Sequence, residues 1–247
     1  MTVPLPVELQ ALAAETRTIT VLTGAGMSAE SGVPTFRDAQ TGLWARVDPA
    51  DLATPHAWES DPALVWAWYQ WRAGLVRRAQ PNDGHFALAR WAAHADVRVV
   101  TQNVDDLHER AGSEVASHLH GSLFAPRCSE CGTPADSVEP LDDPVERLDP
   151  PDCDRCGGLI RPGAVWFGEA MPSEPLERAM ECAQTCDLML VVGTSGVVYP
   201  AAGLPGLARE AGATVVEINP EPTGISEQAD HVWRTTAAVG LELLAPR

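Results

Sequence analysis

The chain contains no lysine: its 17 basic residues are all arginines, set against 34 aspartates and glutamates, and the net charge is −17. Chemistry that needs a lysine, whether a phosphate-loop cation, a Schiff base or a lysine general base, is therefore excluded. The acidic balance also argues against nucleic acid as a partner, because phosphate backbones are held by basic surfaces. No apolar run reaches the roughly eighteen residues that a membrane-crossing helix needs. The opening MTVPLPVELQALAAET has neither a basic n-region nor an apolar h-region. These absences lead to the expectation of a cytoplasmic protein that binds neither membrane nor nucleic acid, and a monomer is expected. What remains is ordinary for a globular chain: 45% apolar and 21% charged residues, with length enough for one sizeable domain and a small lobe.

Four of the six cysteines have a metal-site layout. Cys128 and Cys131 form one C-x-x-C pair and Cys153 and Cys156 another, each followed by glycine at Gly132 or Gly157-Gly158. A tight turn lets both thiolates of a pair face one ion, and four sulfurs complete a tetrahedron around Zn2+. The alternative, two disulfides or a redox motif, is disfavoured in the cytoplasmic setting expected here. With all four positions sulfur, the site is expected to be structural and to hold a single zinc ion. The spacer between the pairs is rich in proline and acid and cannot form a core, as suits a loop stapled by metal. Cys182 and Cys186 fall on a helix expected over ERAMECAQTC and read as buried helix residues.

Along the chain, apolar β-branched runs alternate with amphipathic segments. A helix at about 5–15 precedes a strand at Thr18–Leu22, which runs into Thr23-Gly24-Ala25-Gly26. A strand entering glycines and then a helix suits a pyrophosphate, since the glycines permit close backbone approach and the helix start supplies N–H groups. Further units follow at Val97–Thr101 with a helix at 105–111, and at Leu188–Val192 with a helix near 200–211. A last strand spans Thr214–Ile218. This alternation predicts an α/β fold, a Rossmann-like parallel sheet with helices on both faces. Gly24, Gln102-Asn103, Gly193-Thr194-Ser195 and Asn219 all then lie at strand C-terminal ends, where ligands of such sheets bind. The acid that normally follows the glycines by about 20 residues to hold a ribose is not at a strand end. Two insertions interrupt the sheet instead. The expected division is a discontinuous nucleotide-binding domain (1–37, 86–124 and 164–247), a tryptophan-rich helical insertion (38–85) and a zinc-binding module (125–163).

These segments resemble the sirtuin family. The resemblance rests on Gly24-Ala25-Gly26-Met27-Ser28-Ala29-Glu30-Ser31-Gly32-Val33-Pro34-Thr35-Phe36-Arg37, on Thr101-Gln102-Asn103-Val104-Asp105-Asp106-Leu107-His108 and on His120-Gly121. It continues through the cysteine pairs, Arg161-Pro162-Gly163-Ala164-Val165-Trp166-Phe167-Gly168-Glu169, Gly193-Thr194-Ser195 and Ile218-Asn219-Pro220. The motifs occur in family order over about residues 15 to 244. The resemblance implies an NAD-dependent protein-lysine deacylase that moves the acyl group to ADP-ribose and releases nicotinamide. NAD is then a co-substrate, and the partners are acyl-lysine proteins bound as extended peptides; a strongly acidic surface would help steer basic tails to it.

The resemblance also assigns roles. His120 matches the base, a role suited to a side chain whose ordinary pKa is near the operating pH; without the family context it reads as a satisfied turn histidine. Asn103 belongs with it at the reacting centre. Gln102, Asn103 and Asp105 match residues that hold the nicotinamide ribose and carboxamide. Gly24, Ala25, Gly26 and Ser28 match the nucleotide loop, Arg37 the phosphate contact, and Phe36 the shield of the reacting ribose. Gly193, Thr194, Ser195 and Asn219 match the adenosine half, and Thr236, with Ala237 beside it, the adenine-flanking position. Val165 to Glu169, including Phe167 and Gly168, and Gly196 to Val198 match two strands that clamp the substrate peptide by strand addition.

Tyr69 and Arg72 stand one turn apart in Trp66-Ala67-Trp68-Tyr69-Gln70-Trp71-Arg72 and share a helix face. A guanidinium binds a carboxylate bidentately and a phenol donates one more bond. On spacing alone, a partly exposed helix with a core tyrosine and a solvated arginine is the favoured reading. The Tyr-x-x-Arg pattern resembles that of sirtuins preferring succinyl- or malonyl-lysine over acetyl-lysine. Trp66, Trp68 and Trp71 read as core. Two other functions remain open: mono-ADP-ribosyl transfer from the same NAD site, and an NAD-sensing binding module. A sensor would need no base like His120, and a hydride-transferring dehydrogenase would need a second catalytic domain.

Overall fold

The computed structural model describes residues 4–35, 44 and 48–246. Six strands form one sheet: β1 (Thr18–Thr23), β2 (Asp96–Thr101), β3 (Val115–His118), β6 (Leu188–Val192), β7 (Thr214–Ile218) and β8 (His231–Trp233). Their order is β3-β2-β1-β6-β7-β8, and every neighbouring pair is parallel. The chain thus winds outward from β1 to one edge, crosses back to β6 and winds to the other edge, which opens a crevice between β1 and β6. β4 (Arg127–Cys128) and β5 (Ile160–Arg161) make a separate antiparallel pair.

The central strands are apolar without alternation because both faces are covered. On one face α1 (Val7–Glu15), α6 (Asp83–Trp91) and α10 (Ala237–Leu244) pack Leu9, Trp91 and Leu241 onto Ile19, Val21, Leu190 and Val216. On the other, α8 (Ser173–Thr185) and α9 (Leu204–Glu210) pack Ala179 and Leu204 onto Leu22, Met189 and Val215. Cys182 joins this second cluster from within α8, while Cys186 is buried just past its last residue. α2 (Gly26–Ala29) and α7 (Leu107–Arg110) are single turns after β1 and β2. No helix among the described residues is long and apolar enough to cross a membrane.

A third core lies apart from the sheet, built by α3 (Pro49–Leu52), α4 (Pro55–Ser60) and α5 (Pro62–Arg78) with the cysteine segment. α5 starts sharply: the Asp61 carboxylate accepts from Leu64 N and proline occupies the first turn. It ends on Arg77 and Arg78, which suit the negative end of the helix dipole. Trp66, Trp68, Tyr69, Gln70, Trp71 and Arg72 are all buried, so α5 is a core helix on all sides. Its cluster includes Trp44, Trp58, Trp166, Cys128 and Cys153.

Two strands of the six-stranded sheet were not anticipated, β3 (VASH) and β8 (HVW), nor was the β4–β5 pair. β3 and β8 are short edge strands that carry polar residues and so lack the apolar signature. The helix expected over 105–111 contracts to Leu107–Arg110, and that near 200–211 divides into a 3₁₀ turn at Ala201–Gly203 and α9.

Under the sheet's C-terminal end, the His85 and His108 rings meet at a tilt of 59° with centroids 4.8 Å apart. His85 Nδ1 accepts from Asn82 N at the start of α6, and His108 Nε2 lies 3.1 Å from Thr23 Oγ1. Burial lowers the pKa of His85 to about 4 and that of His108 well below its ordinary value. Both are neutral at pH 7. Below pH 6.5 the unfolded chain takes up protons that the folded chain refuses, so stability is lost as pH falls toward about 4. For His85 the loss is at most about 3 kcal/mol. His85→Gln should therefore melt below wild type at pH 7.5, with the gap narrowing toward pH 4; a gap independent of pH would show that His85 is not held neutral.

Candidate active site

The parallel register ends the strands on one line: His118 opposite Thr101, Thr101 opposite Thr23, Thr23 opposite Val192, Val192 opposite Ile218, Ile218 opposite Trp233. The residues immediately beyond that line include most of the sequence-derived candidates. At its centre Gly26 N donates to Gly193 O at 2.8 Å, and Gly24 N to Val192 O at 3.1 Å. A Cβ on Gly24 would come within 2.8 Å of Gly193 O, and one on Gly26 within 2.8 Å of Gly193 Cα. Gly193 has φ of 61°, a conformation glycine adopts without strain. Side chains at these positions would fill the crevice mouth; without them it exposes backbone.

Next to the glycines lies a buried polar cluster. Ser28 Oγ donates to Asp105 Oδ2 at 2.8 Å, Leu107 N donates to Asp105 Oδ1, and Asn103 Nδ2 donates to Ser28 Oγ. Burial raises the Asp105 pKa against the pull of the Ser28 and Leu107 bonds. Asn103 N donates to Thr101 Oγ1, which also accepts from Thr23 Oγ1. Gln102 Nε2 donates to Thr194 Oγ1 at 2.9 Å, tying the end of β2 to the end of β6.

His120 Nδ1 lies 3.0 Å from Gln102 O. A carbonyl can only accept, so Nδ1 carries the proton and Nε2 keeps its lone pair. Burial lowers the His120 pKa, partly opposed by that bond. His120 is therefore neutral at pH 7, with a defined tautomer. Val165 N donates to His120 O at 2.8 Å, which brings the 164–169 segment alongside.

On that segment Trp166 Nε1 donates to Tyr69 Oη at 3.0 Å. Arg72, one turn further along α5, is 6% exposed and not solvated. Its Nη2 donates to Pro34 O at 3.5 Å and its guanidinium lies 5.0 Å from the Trp68 ring centroid. Burial lowers the Arg72 pKa while Tyr69 and Asp105 oppose the shift, and burial likewise raises that of Tyr69. Phe167, half exposed, is fixed by its N–H to Ala53 O, and Gly168 turns the chain with φ of 87°. Neither 165–169 nor 196–198 is a strand.

On the other side Asn219 Nδ2 donates to Thr194 O, which leaves Ser195 beside it. Thr236 precedes α10, whose Ala238 N is capped by Glu30. Phe36 and Arg37 lie outside the described residues. Sequence reasoning missed the brace behind Asn219. Glu217, 1% exposed, accepts from Arg234 Nη1 at 2.9 Å, from Ser226 Oγ at 2.7 Å and from Thr223 Oγ1. A buried acid inside an apolar strand was the available signal.

The four sulfurs of Cys128, Cys131, Cys153 and Cys156 lie within 4.8 Å of one another, with no disulfide among them. Cys128 and Cys156 Sγ are 3.5 Å apart, Cys131 and Cys153 Sγ 3.8 Å. A zinc tetrahedron with bonds of about 2.3 Å has sulfur–sulfur edges of about 3.8 Å, so the donors fit one structural zinc and leave no open position. Glu130 N and Cys131 N point at Cys128 Sγ, as suits a thiolate.

The model of the Sir2 family matches residues 24–200. A Mycobacterium tuberculosis (strain H37Rv) protein named NAD-dependent protein deacylase is 55% identical over 93% of this chain and 97% of its own length. A Corynebacterium glutamicum protein of the same name is 53% identical over 94% and 92%. Among solved structures, a Sir2 homolog–NAD complex superposes with TM-score 0.89 at 44% identity, covering 98% of this chain and 93% of that one. A Sir2 point mutant in complex with p53 peptide and NAD gives 0.83 at 32% identity, covering 96% and 95%.

Native mass spectrometry should find one zinc per chain, lost in Cys153→Ser. Because the cysteines share a core with α5, that variant or strong chelation should lower the melting temperature by several degrees or more. A chelator-insensitive, metal-free protein of unchanged stability would refute a structural zinc.

Proposed function

The chain belongs to the Sir2 family, and from that premise we propose that it is a cytoplasmic NAD-dependent protein-lysine deacylase whose preferred acyl groups are succinyl and malonyl. The observation that carries the preference is a short chain of bonds from base to pocket. His120 O accepts from Val165 N, the next residue's indole donates to Tyr69 Oη, and Arg72 stands one turn from Tyr69.

NAD, when bound, supplies a ribose carbon carrying a cationic nicotinamide, a good leaving group. The glycine crevice at Gly24, Gly26 and Gly193 admits a pyrophosphate, and Ala25 lies in the same loop. Thr194, Ser195 and Asn219 hold the adenosine side, with Thr236 next to them. Gln102, Asn103, Ser28 and Asp105 orient the nicotinamide riboside through hydrogen bonds that this buried cluster already supports. Phe36 and Arg37 are assigned to ribose shielding and phosphate contact. His120 Nε2 takes the proton released from the ribose hydroxyls, since its Nδ1 proton is committed to Gln102 O. The peptide lies between 165–168 and 196–198, and its acyl group reaches Tyr69 and Arg72. Trp166 fills one lone pair of the phenol, so the phenol proton is left to donate, as a carboxylate requires. An acetyl group gives these buried donors no carboxylate.

The deciding experiment compares kcat/KM for one peptide carrying succinyl- or acetyl-lysine, with nicotinamide and acyl-ADP-ribose followed by mass. Because the protein itself has no lysine, all acyl-lysine measured belongs to the peptide. Succinyl should be favoured by about tenfold or more, near 1.4 kcal/mol in the transition state. Arg72→Met should cost desuccinylation roughly 10- to 100-fold, the worth of a charge-assisted bond, and deacetylation little. Acetyl preference in wild type would sink the acidic pocket; nicotinamide release without acyl transfer would favour ADP-ribosylation instead.

The pH profile tests the base. With the His120 pKa lowered by burial, kcat/KM should rise with pH through a midpoint below histidine's ordinary value of 6.5 and then level off. His120→Tyr should abolish turnover and keep its zinc. A midpoint above 6.5, or activity retained in the variant, would remove His120 as the base.

A further inference from the structure

We propose that Trp166 is a positioning residue for acyl selectivity: its indole N–H holds the Tyr69 phenol as a dedicated hydrogen-bond donor. This rests on the acidic-acyl reading above and extends it to a residue outside the Tyr-x-x-Arg pair. An indole N–H can donate and cannot accept. At 3.0 Å from Tyr69 Oη it fixes which way that bond runs. The phenol oxygen is the acceptor, and its own proton must go elsewhere. Tyr69 is 3% exposed, so water cannot freely redirect that proton.

Trp166 is in turn held from every side. The Arg161 guanidinium lies 3.3 Å from its ring centroid, the Trp58 ring 5.7 Å away and the Tyr69 ring 6.4 Å away. Its backbone N–H donates to Glu169 Oε2 at 2.8 Å. Glu169 is clamped by Arg161 through two bonds of 2.5 and 3.0 Å, and Arg161 Nη2 also donates to Ala164 O. Trp166 cannot swing to follow the phenol; the phenol must conform to it. The backbone preceding this ring is the Val165 N–H bonded to His120 O. One rigid segment therefore sets both the base and the acyl-reading donor, and it fixes their separation.

The test uses Trp166→Phe, which removes the N–H and keeps a ring over Arg161, with Tyr69→Phe and the double variant, each assayed on succinyl- and acetyl-lysine peptides. Both activities are measured on the same preparation, so their ratio is independent of the folded fraction. Trp166→Phe should lower the succinyl-to-acetyl ratio of kcat/KM by roughly 5- to 10-fold, the worth of one oriented hydrogen bond, on top of whatever it costs both peptides alike. Tyr69→Phe should do the same, and the double variant should lose little more than either single one, because the indole acts through the phenol. Equal losses on both peptides in Trp166→Phe, or losses that multiply in the double variant, would overturn the proposal while a selective Tyr69→Phe left the acidic pocket standing. A wild type without succinyl preference and an indifferent Tyr69→Phe would overturn both.

Discussion

Backbone meets backbone where Gly24 and Gly26 lie against Gly193, and the rest of the site depends on that approach. The contact joins the loop after β1 to the loop after β6, the two strands between which the winding reverses. No side chain separates the loops, so the strands can hold a common register and still leave a groove at their ends. Substituting any of the three would force the loops apart. The disturbance would reach Gln102 and Thr194, whose side chains bridge the neighbouring strand ends.

The polar groups above this contact illustrate a second constraint. Buried hydroxyls, amides and carboxyls are stable only when paired, and here pairing also determines orientation. Thr23 Oγ1 donates to Thr101 Oγ1, Thr101 Oγ1 accepts from Asn103 N, and the Asn103 amide reaches Ser28 on its way to Asp105. The same logic fixes His120, since Gln102 O admits one tautomer. In the role proposed for it, His120 is preorganised before substrate arrives, its proton position decided by a backbone carbonyl, and burial keeps it neutral in the range where a base must accept a proton.

Much of this was legible from the sequence. β1, β6 and β7 read as strands because burial on both faces demands unbroken apolar runs, and the glycines that follow them marked the crevice. The cysteine spacing alone specified a cluster whose sulfurs meet at zinc-like separations. Other features were hidden because they depend on contacts between distant segments. β3 and β8 owe their existence to a neighbour's hydrogen bonds rather than to composition. Only the fold places His108 beneath Thr23. Arg72 could have been solvated by its spacing; the tryptophans around it exclude water. The Arg234–Glu217 brace joins residues that no short pattern links.

The zinc module, which has no open position for chemistry, nonetheless bears on the proposed acyl pocket. Cys128 belongs to β4, which pairs with Ile160 and Arg161 of β5. Arg161 is also the residue that clamps Glu169 and covers Trp166. Cys128, Cys153 and Ile160 share one apolar cluster with Tyr69 and Trp166. The spacer between the cysteine pairs has too few apolar residues to hold this hairpin in place unaided. A metal that closes it therefore fixes the β-pair, the β-pair fixes Arg161, and Arg161 fixes the segment on which both Trp166 and the Val165–His120 bond depend. In this arrangement the ion supplies geometry instead of charge, and under the proposed function a structural site is coupled to substrate choice without touching the substrate.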